Sequence, residues 1–319
     1  MVKVGIHIVP LMAANDVIEI AVNAERIGYD YCLVADEGFH PDIYACLGAI
    51  ARETERIKIG PVTNGYTRHP AVTAAAVATV NELSNGRALV TLVAGGSMVL
   101  DPMGIDRERP YRVLRDTVQV MKALWSGESV TWQGDTHRLS NAQLSSGPHS
   151  IPIWISSRGP LLLKLAGREA DGILLTVKPD LKASFGIAAS ASHGDNQPER
   201  IYLGRICYTP EMFDEQRSTM PYILMDSPDR VLRSLGFNDA QIERIANTSE
   251  ASDLDDLMTD DLLAQYQING SPEACSEQAA ALVSEHGLDT LMVDVLSQDL
   301  AENLELLHRT YNIITDGRR

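Results

Sequence analysis

The sequence predicts an α/β fold, a (β/α)8 TIM barrel with insertion segments at its C-terminal mouth. Along the 319 residues, short β-branched runs alternate with amphipathic helical patterns, and this alternation is typical of repeated βα units on a parallel sheet. Eight strand-like runs are present, a number that closes most naturally into a barrel. A doubly wound open sheet is the alternative, but the first turn, Val9 to Met12, lacks the GxGxxG pattern that usually accompanies it.

The eight runs are predicted to be the barrel strands, in chain order at residues 3–9, 30–35, 57–63, 88–93, 151–156, 172–177, 201–208 and 290–296. Helical patterns lie between them at about 16–28, 43–54, 70–84, 110–126, 160–170 and 180–192, with two more at 271–286 and 299–315. Each helix therefore stands between two strands or after the last one, as a barrel requires.

The third run departs from this regular pattern. Gly60 and Pro61 interrupt it where a buried central strand is normally continuous, since proline has no N–H to give to the sheet. A polar string, residues 63–69, then follows directly. The interruption marks the end of this strand as a candidate for a functional role.

Two connections are longer than a minimal barrel needs, and long loops often serve a function. The first, at about 127–150, contains ESVTWQGDTHRL, which indicates a small hairpin that turns at residues 133–135. The second, at about 209–270, is mostly helical and strongly acidic, and we expect it to cap the mouth where the active sites of barrels lie. Residues 1–319 are interpreted as one domain that carries this helical insertion.

The formal charge of −16 argues against binding to nucleic-acid phosphates, because the lysines and arginines form no basic stripe. An anionic cofactor would have to be held locally, by backbone amides and a few cations.

No apolar run approaches the roughly 20 residues that span a bilayer. The first residues also lack the apolar region of a signal peptide. We therefore expect a cytoplasmic protein that does not contact membranes.

The four cysteines, Cys32, Cys46, Cys207 and Cys275, lack the CxxC or Cys/His spacing of a metal site. Three of them lie in apolar or strand-like patterns, which favours buried reduced thiols. We expect neither a structural metal nor a disulfide framework.

Residues that directly follow the strands of a barrel face its active site, so the predicted strands identify candidate site residues. These are His7 near the end of the first strand, Asp36, Glu37 and His40 after the second, Thr63 and Asn64 after the third, Gly95, Gly96 and Ser97 after the fourth, Ser156, Ser157, Arg158, Gly159 and Pro160 after the fifth, and Thr176 after the sixth.

The stretch SSRGP at residues 156–160 is the most distinctive of these. Serine and glycine before a helix that starts with proline leave backbone amides free to bind an anion, and Arg158 stands beside them. An ordinary helix cap followed by proline explains the same residues equally well. AGGS at residues 94–97 also has two explanations. The glycines could permit close approach to a flat ligand, or they could form only a tight turn.

Acids and histidines at the mouth are candidates for proton transfer. Asp36 and Glu37 could form a buried acid pair or could be solvated loop side chains, and their position after a barrel strand favours the buried pair. His7 on an apolar strand is by default a core histidine. His69 could simply open the third helix beside Pro70.

Several longer stretches, taken together, resemble the bacterial-luciferase-like flavin and deazaflavin oxidoreductases, and most of all the branch that contains methylenetetrahydromethanopterin reductase. The most specific is VTNGYTRHPAVTAAAVATVNELSNGRA at residues 62–88. The others are GIHIVP, AERIGYDYCLVAD, IPIWISSRGPLLLKLAGREADGILL and the weaker GSPEACSEQAAALVSEHGLDTLMV.

This resemblance implies a barrel that is usually a homodimer and that binds the deazaflavin coenzyme F-420, or alternatively FMN, at its mouth. It also implies a non-prolyl cis peptide bond at the end of the third strand, which would back the middle of the coenzyme ring. The matching bond is Pro61–Val62, with Gly60–Pro61 as the alternative. Three places depart from the branch. The segment before Val62 is one residue shorter than usual, with Pro61 where Gly is typical. Glu37 stands where the branch usually has His, and His7 stands where the reductase has a Glu thought to matter for catalysis.

The resemblance makes an F-420-dependent oxidoreductase the leading hypothesis. Such an enzyme moves a hydride between the coenzyme and an organic substrate, here an imine, an iminium or an activated alkene, as in methylenetetrahydromethanopterin reductase. An FMN-dependent monooxygenase and a non-catalytic flavin-binding barrel are the alternatives.

Under this hypothesis, each candidate residue receives a role. The coenzyme ring is assigned to Pro61, Val62, Thr63 and Asn64, with Asp36 near its hydroxyl edge. The phosphate-bearing tail is assigned to Gly95, Gly96, Ser97, Ser157, Arg158, Gly159 and Pro160, with Ser156 and Thr176 also at the coenzyme. The candidates for proton transfer are His7, Glu37 and His40.

Overall fold

The computed structural model describes residues 2–193 and 197–316. Its strands are β1 (Lys3–Ile8), β2 (Tyr31–Ala35), β3 (Lys58–Thr63), β4 (Val90–Val93), β5 (Val130–Gln133), β6 (Arg138–Ala142), β7 (Ile153–Ser156), β8 (Gly172–Leu175), β9 (Glu199–Gly204), β10 (Ile206–Cys207), β11 (Ile268–Asn269) and β12 (Thr290–Val295). Its α-helices are α1 (Ala14–Ile27), α2 (Ile43–Glu53), α3 (Pro70–Leu83), α4 (Ser97–Leu100), α5 (Pro110–Trp125), α6 (Pro160–Glu169), α7 (Leu181–Ala189), α8 (Pro210–Asp214), α9 (Met220–Met225), α10 (Asp229–Ser234), α11 (Asp239–Asn247), α12 (Asp260–Ala264), α13 (Pro272–His286) and α14 (Leu300–Asp316). Short 3-10 helices lie at Asp101–Met103, Lys178–Asp180, Glu215–Ser218 and Ala251–Leu257.

Eight of these strands form a closed parallel barrel in the order β1-β12-β9-β8-β7-β4-β3-β2, which confirms the predicted (β/α)8 fold. The strands are buried on both faces, and this is why they read as nearly continuous apolar runs. Side chains such as Leu33, Trp154 and Met292 fill the inside of the barrel. Residues that alternate with them, such as Ile6 and Val34, pack under the surrounding helices.

The predicted seventh strand, 201–208, is divided in two. β9 pairs with β8 and β12 in the barrel and ends at Gly204. β10 then pairs with β11 in a separate two-stranded parallel sheet. The apolar pattern continues across the break because both pieces are buried, so it does not show that the chain leaves the barrel there.

The predicted cis peptide bond at Pro61–Val62, with Gly60–Pro61 as its alternative, is wrong, because every peptide bond within the described ranges is trans. β3 keeps an unbroken parallel register with β2 at this point, with Gly60 opposite Leu33 and Pro61 opposite Val34. That register is compatible with an ordinary extended trans backbone.

The irregularity of β3 lies instead on its edge toward β4. Ile59 donates to the carbonyl of Arg87 and accepts from the N–H of Leu89. Pro61, two residues on, has no N–H with which to continue this ladder. A Cβ atom on Gly60 would lie 2.0 Å from the carbonyl oxygen of Leu89, so the two backbones approach more closely than a side chain permits.

The predicted hairpin is confirmed as β5 and β6, an antiparallel pair that lies against α5. Asp116 on α5 is buried, and its carboxylate accepts hydrogen bonds from the backbone N–H of Thr136 (2.7 Å) and from the Thr136 hydroxyl (2.9 Å). These bonds attach the hairpin turn to the barrel helix.

The segment between β10 and β11 is the helical insertion, and it contains α8 to α12. It has an apolar cluster of its own, in which Met220, Leu224, Val231 and Leu263 are buried. Because β10 and β11 lie side by side, the two ends of the insertion meet at one place on the barrel.

All four cysteines are buried free thiols, whereas the sequence patterns predicted this for three of them. Burial raises the pKa of Cys207 to about 12 and that of Cys275 to about 11, so both thiols stay protonated and serve as packing groups. Within residues 2–193 and 197–316, no helix is long and apolar enough to cross a bilayer.

Candidate active site

A cavity of about 810 Å³ lies at the carboxyl ends of the barrel strands, between them and the insertion. Active sites of barrel enzymes occupy this place. The predicted residues that line it are His7, Asp36, Glu37, Val62, Gly95, Gly96, Ser156, Ser157, Arg158, Gly159, Pro160 and Thr176. The predicted residues that do not line it are His40, Pro61, Thr63, Asn64 and Ser97.

A histidine and a carboxylate from neighbouring strands line the cavity together. His7 on β1 lies opposite Asp294 on β12 in the parallel ladder, and its Nδ1 is 2.8 Å from Oδ1 of Asp294. An ionised carboxylate only accepts hydrogen bonds, so with Asp294 ionised Nδ1 is the donor in this contact. On the other side of the ring, Nε2 is buried and has no hydrogen-bond partner in the part of the chain that the structure describes.

The sequence-based prediction misses Asp294, although a signal was present. LMVDV at residues 291–295 places one charged residue in an otherwise apolar strand. Alternation along β12 puts Asp294 on the same face as Met292, which packs inside the barrel. A charge on that face near the carboxyl end of a strand faces the active site of a barrel.

Asp36 is a partly buried acid at the wall of the cavity. The hydroxyl of Thr63 donates to Oδ2 of Asp36 at 2.8 Å. Burial raises the pKa of Asp36, and the hydrogen bond from Thr63 and the charge of Arg68 partly offset this effect. Thr63 therefore acts on the cavity through Asp36.

Glu37 follows Asp36 and also lines the cavity. Burial raises the pKa of its carboxyl, against the opposing charges of His7 and His40. A raised pKa extends to higher pH the range in which a carboxyl is protonated and able to donate. His40, the third predicted proton-transfer residue, is exposed and lies outside the cavity.

Asn64 has a local structural role. Its Oδ1 accepts hydrogen bonds from the backbone N–H groups of Tyr66 (2.8 Å) and Thr67 (3.0 Å), which close the turn before α3. Pro61 belongs to the barrel wall, and Val62 is the residue of β3 that lines the cavity. The polar string after β3 thus serves mainly to build the loop.

The turn at residues 94–97 already binds an anionic group of the chain itself. The backbone N–H and the hydroxyl of Ser97 donate to Oδ2 of Asp226, at 2.9 and 3.2 Å. Arg107 donates to Oδ1 of the same carboxylate at 2.7 Å. Asp226 directly follows α9, so the insertion supplies this anion.

Arg158 is also engaged by the insertion, because its Nη1 donates to the hydroxyl oxygen of Ser227 at 2.7 Å. Gly159 is the N-cap residue of α6, and Pro160 is the first residue of that helix. The N–H of Gly159 donates to the hydroxyl of Ser157 at 3.3 Å. The stretch therefore has the geometry of an ordinary helix start, with a guanidinium held between the cavity and the insertion.

The sequence-based prediction also misses cavity residues outside the strand ends, among them Arg107, Asp226 and Tyr266. The Tyr266 hydroxyl is buried without a hydrogen-bond partner in the described ranges. Ser97 and Asp226 are 129 positions apart, and a contact over such a distance leaves no local pattern in the sequence.

Comparisons with known proteins agree with this architecture. The family model of the luciferase-like monooxygenases matches residues 3–290. The chain is 29% identical over 293 residues to 5,10-methylenetetrahydromethanopterin reductase of Methanolobus tindarius, which covers 88% of this chain and 90% of the relative. It is 35% identical over 179 residues to F420-dependent glucose-6-phosphate dehydrogenase of Amycolatopsis mediterranei, which covers 51% and 53%. The structure of coenzyme F420 dependent tetrahydromethanopterin reductase from Methanopyrus kandleri matches with a TM-score of 0.80 at 22% identity, over 96% and 97% of the two chains.

Proposed function

The chain belongs to the luciferase-like monooxygenase family, and from this premise we propose that it is an oxidoreductase dependent on the deazaflavin coenzyme F420. The proposed reaction is hydride transfer between the coenzyme and a small organic substrate with an imine, iminium or activated alkene group. The observation that carries the proposal is the alignment with methylenetetrahydromethanopterin reductase, which spans 88% of the chain. F420 also stands in the names of the aligned dehydrogenase and of the reductase of known structure.

The residues around the cavity fit the ring of a flat coenzyme. Val62 offers an apolar contact, and Asp36, held by Thr63, offers a carboxyl that can bind a ring hydroxyl. Nε2 of His7, buried and without a partner in the described chain, is left to face the substrate rather than the ring. When bound, the coenzyme supplies a carbon that gives or takes a hydride. The residues of the chain orient the reactants, exclude water and move a proton.

On the other side of the cavity, an anionic tail would compete with the insertion for the same hydrogen-bond donors. The proposed tail contacts are the 94–97 turn and Arg158, which already bind Asp226 and Ser227. We therefore propose that residues 225–228 move away from these contacts when the coenzyme binds.

Proton transfer is proposed for Glu37 or His7, which both line the cavity. Glu37 has a pKa that burial raises. His7 has a ring nitrogen without a partner in the described ranges, and an imidazole exchanges protons readily near neutral pH. His40, which is exposed and lies outside the cavity, is less suited to this role.

An FMN-dependent monooxygenase is the second candidate function. It is favoured by one observation, namely that the matching family model describes luciferase-like monooxygenases. Such an enzyme would use the same barrel mouth for its flavin.

Anaerobic equilibrium dialysis with F420 and with FMN, each oxidised and reduced, tests the choice. We expect tighter binding of the deazaflavin, with Asp36→Ala weakening it by at least about tenfold because the ring loses its carboxyl partner. The matched control, His40→Ala, should bind as the unsubstituted protein does. A clear preference for FMN would favour the monooxygenase, and no binding of either coenzyme would contradict the proposed function.

A further inference from the structure

The pairing of Asp294 with His7 is not accounted for by coenzyme binding. Both side chains are largely buried, with exposed fractions of 18% for Asp294 and 11% for His7. Burial of a carboxylate is unfavourable unless hydrogen bonds compensate for the lost water. Within the described ranges, the bond to Nδ1 of His7 is the one side-chain hydrogen bond that Asp294 makes. The carboxylate therefore acts on the imidazole.

The backbone fixes the geometry of this pair. β1 and β12 hold His7 and Asp294 opposite each other in the ladder, so the 2.8 Å contact does not depend on flexible loops. With the Nδ1 proton held by Asp294, a neutral imidazole has its lone pair on Nε2, and a protonated one has an N–H there. A buried nitrogen without a protein partner is satisfied by a ligand or by water.

Glu37 faces the same histidine but acts on it differently. Its charge and that of His7 influence each other, yet the structure shows no hydrogen bond between the two side chains. Glu37 therefore does not hold the imidazole in place, whereas the hydrogen bond with Asp294 can fix its orientation and its tautomer.

We propose that Asp294 is a positioning residue that holds His7 as the acid–base group of the site, with Nε2 directed at the substrate. This inference rests on the proposed function, because the proton accompanies the hydride that the substrate gains. The Nε2–H bond breaks, the proton bonds to the substrate atom that has gained a lone pair, and the imidazole is left neutral with its other proton on Nδ1. In the reverse direction, neutral Nε2 takes that proton from the substrate.

Nitrogen-15 NMR of the imidazole groups, recorded without coenzyme, tests the orientation directly. At a pH where the imidazole of His7 is neutral, we expect its proton on Nδ1. In Asp294→Asn we expect the proton on Nε2, because an amide can donate to Nδ1. His7→Gln assigns the signal. Asp289→Asn is the matched control: Asp289 lies at the other end of β12, where it accepts from the N–H of Arg200 at 2.9 Å, and its substitution should leave the tautomer unchanged.

Turnover with deazaflavin gives a second measurement. Asp294→Asn should lower kcat by about 10- to 100-fold, as expected for loss of a group that orients an acid–base residue. Coenzyme affinity should stay within about twofold, since the carboxylate acts through His7. Adding Asp294→Asn to His7→Gln should cause no further loss, because both substitutions act through one imidazole.

An Nδ1 tautomer that persists in Asp294→Asn, or an unchanged kcat in that variant, would overturn the inference. Should Asp294→Asn not fold, Asp294→Ala replaces it, with the same expected loss of the Nδ1 tautomer and of kcat. If the unsubstituted protein fails to bind deazaflavin, the proposed function is wrong, and the tautomer in the substituted protein still decides whether Asp294 positions His7.

Discussion

Asp36 and Glu37 are neighbours in the chain, but their carboxyl groups have different surroundings. Asp36 is held by a hydrogen bond from Thr63, whereas Glu37 is influenced by the charges of His7 and His40. Burial raises the pKa of both. Adjacent acids in different environments commonly divide their roles, and here the hydrogen-bonded Asp36 suits binding while Glu37 suits proton exchange.

Substitution of the two cavity residues that can carry a proton should separate chemistry from binding. We predict that Glu37→Gln or His7→Ala lowers turnover by at least about tenfold, because a positioned acid or base contributes 10²- to 10⁴-fold in rate. Coenzyme affinity should stay nearly unchanged, since neither residue is assigned to the tail. Steady-state kinetics and equilibrium dialysis measure the two effects, with His40→Ala as the control. Full turnover in both variants would mean that the proton comes from solvent or from the insertion.

The raised pKa of Asp36 also predicts a pH dependence of stability. A carboxyl whose pKa is higher in the folded than in the unfolded protein contributes most stability below the unfolded value, and this contribution is lost as the pH rises through the folded value. Asp36→Asn has no carboxyl that can ionise. Its free energy of unfolding, relative to that of the unsubstituted protein, should therefore rise between about pH 4 and pH 7. Urea unfolding at both pH values measures this difference.

Asp116 provides a control of opposite sign. Burial alone would raise its pKa, but hydrogen bonds from Arg115 and Thr136 hold that pKa below its usual range. Its stabilising contribution is therefore present above the unfolded pKa and is lost in acid, so Asp116→Asn should be more destabilising at neutral pH than near pH 4. The same pH trend in both variants would contradict the assigned directions.

Among the elements, the barrel strands could be predicted because each is buried on both faces and so forms a local apolar run. Strand ends were less predictable, because pairing with a neighbour decides them: the run 201–208 continues past Gly204, where the chain leaves the barrel. The predicted cis bond near Pro61 failed for a related reason. The resemblance implied that bond, but at this place the structure has a trans backbone in which Gly60 permits a close approach to Leu89 across the sheet.

The residues of the candidate site also differ in how far the sequence could predict them. Residues at strand ends, such as Asp36 and Arg158, could be located because the barrel itself places them at the mouth. Asp226 and Tyr266 could not, since the fold of the insertion brings them there and no spacing rule connects them to the barrel. Asp294 lies between these cases, because the strand was predicted and its inward charge was overlooked.

The insertion should regulate access of anionic coenzyme through one carboxylate. Asp226 accepts hydrogen bonds from the N–H of Ser97, in the turn proposed to bind the anionic tail, and from the guanidinium of Arg107. We predict that Asp226→Asn raises the affinity for F420 on the order of tenfold, because a competing charge is removed. Fluorescence titration measures this change. Asp229→Asn, three residues away and exposed, is the control. Unchanged or weaker binding in Asp226→Asn would contradict displacement of the insertion.

For the molecule as a whole, we propose a homodimer that forms through α3. Val72, Ala75, Thr79 and Leu83 are exposed along this helix, and Val72 is 54% exposed. Their spacing forms one stripe, and the small residues in it permit close approach of a second helix.

Sedimentation at micromolar concentration tests this assembly. We predict a dimer, and we predict that Val72→Glu converts it to a monomer because two charges would be buried without partners. Lys164→Glu, an exposed substitution on α6, should leave the dimer intact. A monomer for the unsubstituted chain would refute the proposal.

The small sheet of β10 and β11 has a consequence for how this barrel can diversify. The N–H of Ile268 donates to the carbonyl of Arg205 at 2.9 Å, and the N–H of Gly270 donates to that of Cys207 at 3.1 Å. The chain therefore departs from the barrel and returns to it about one strand spacing apart, roughly 4.8 Å. A segment anchored in this way can be exchanged for one of different length, because the distance between its two ends is fixed by the pairing of β10 and β11. Exchange of residues 208–267 would therefore replace the part of the cavity wall that the insertion supplies and leave the barrel strands in place.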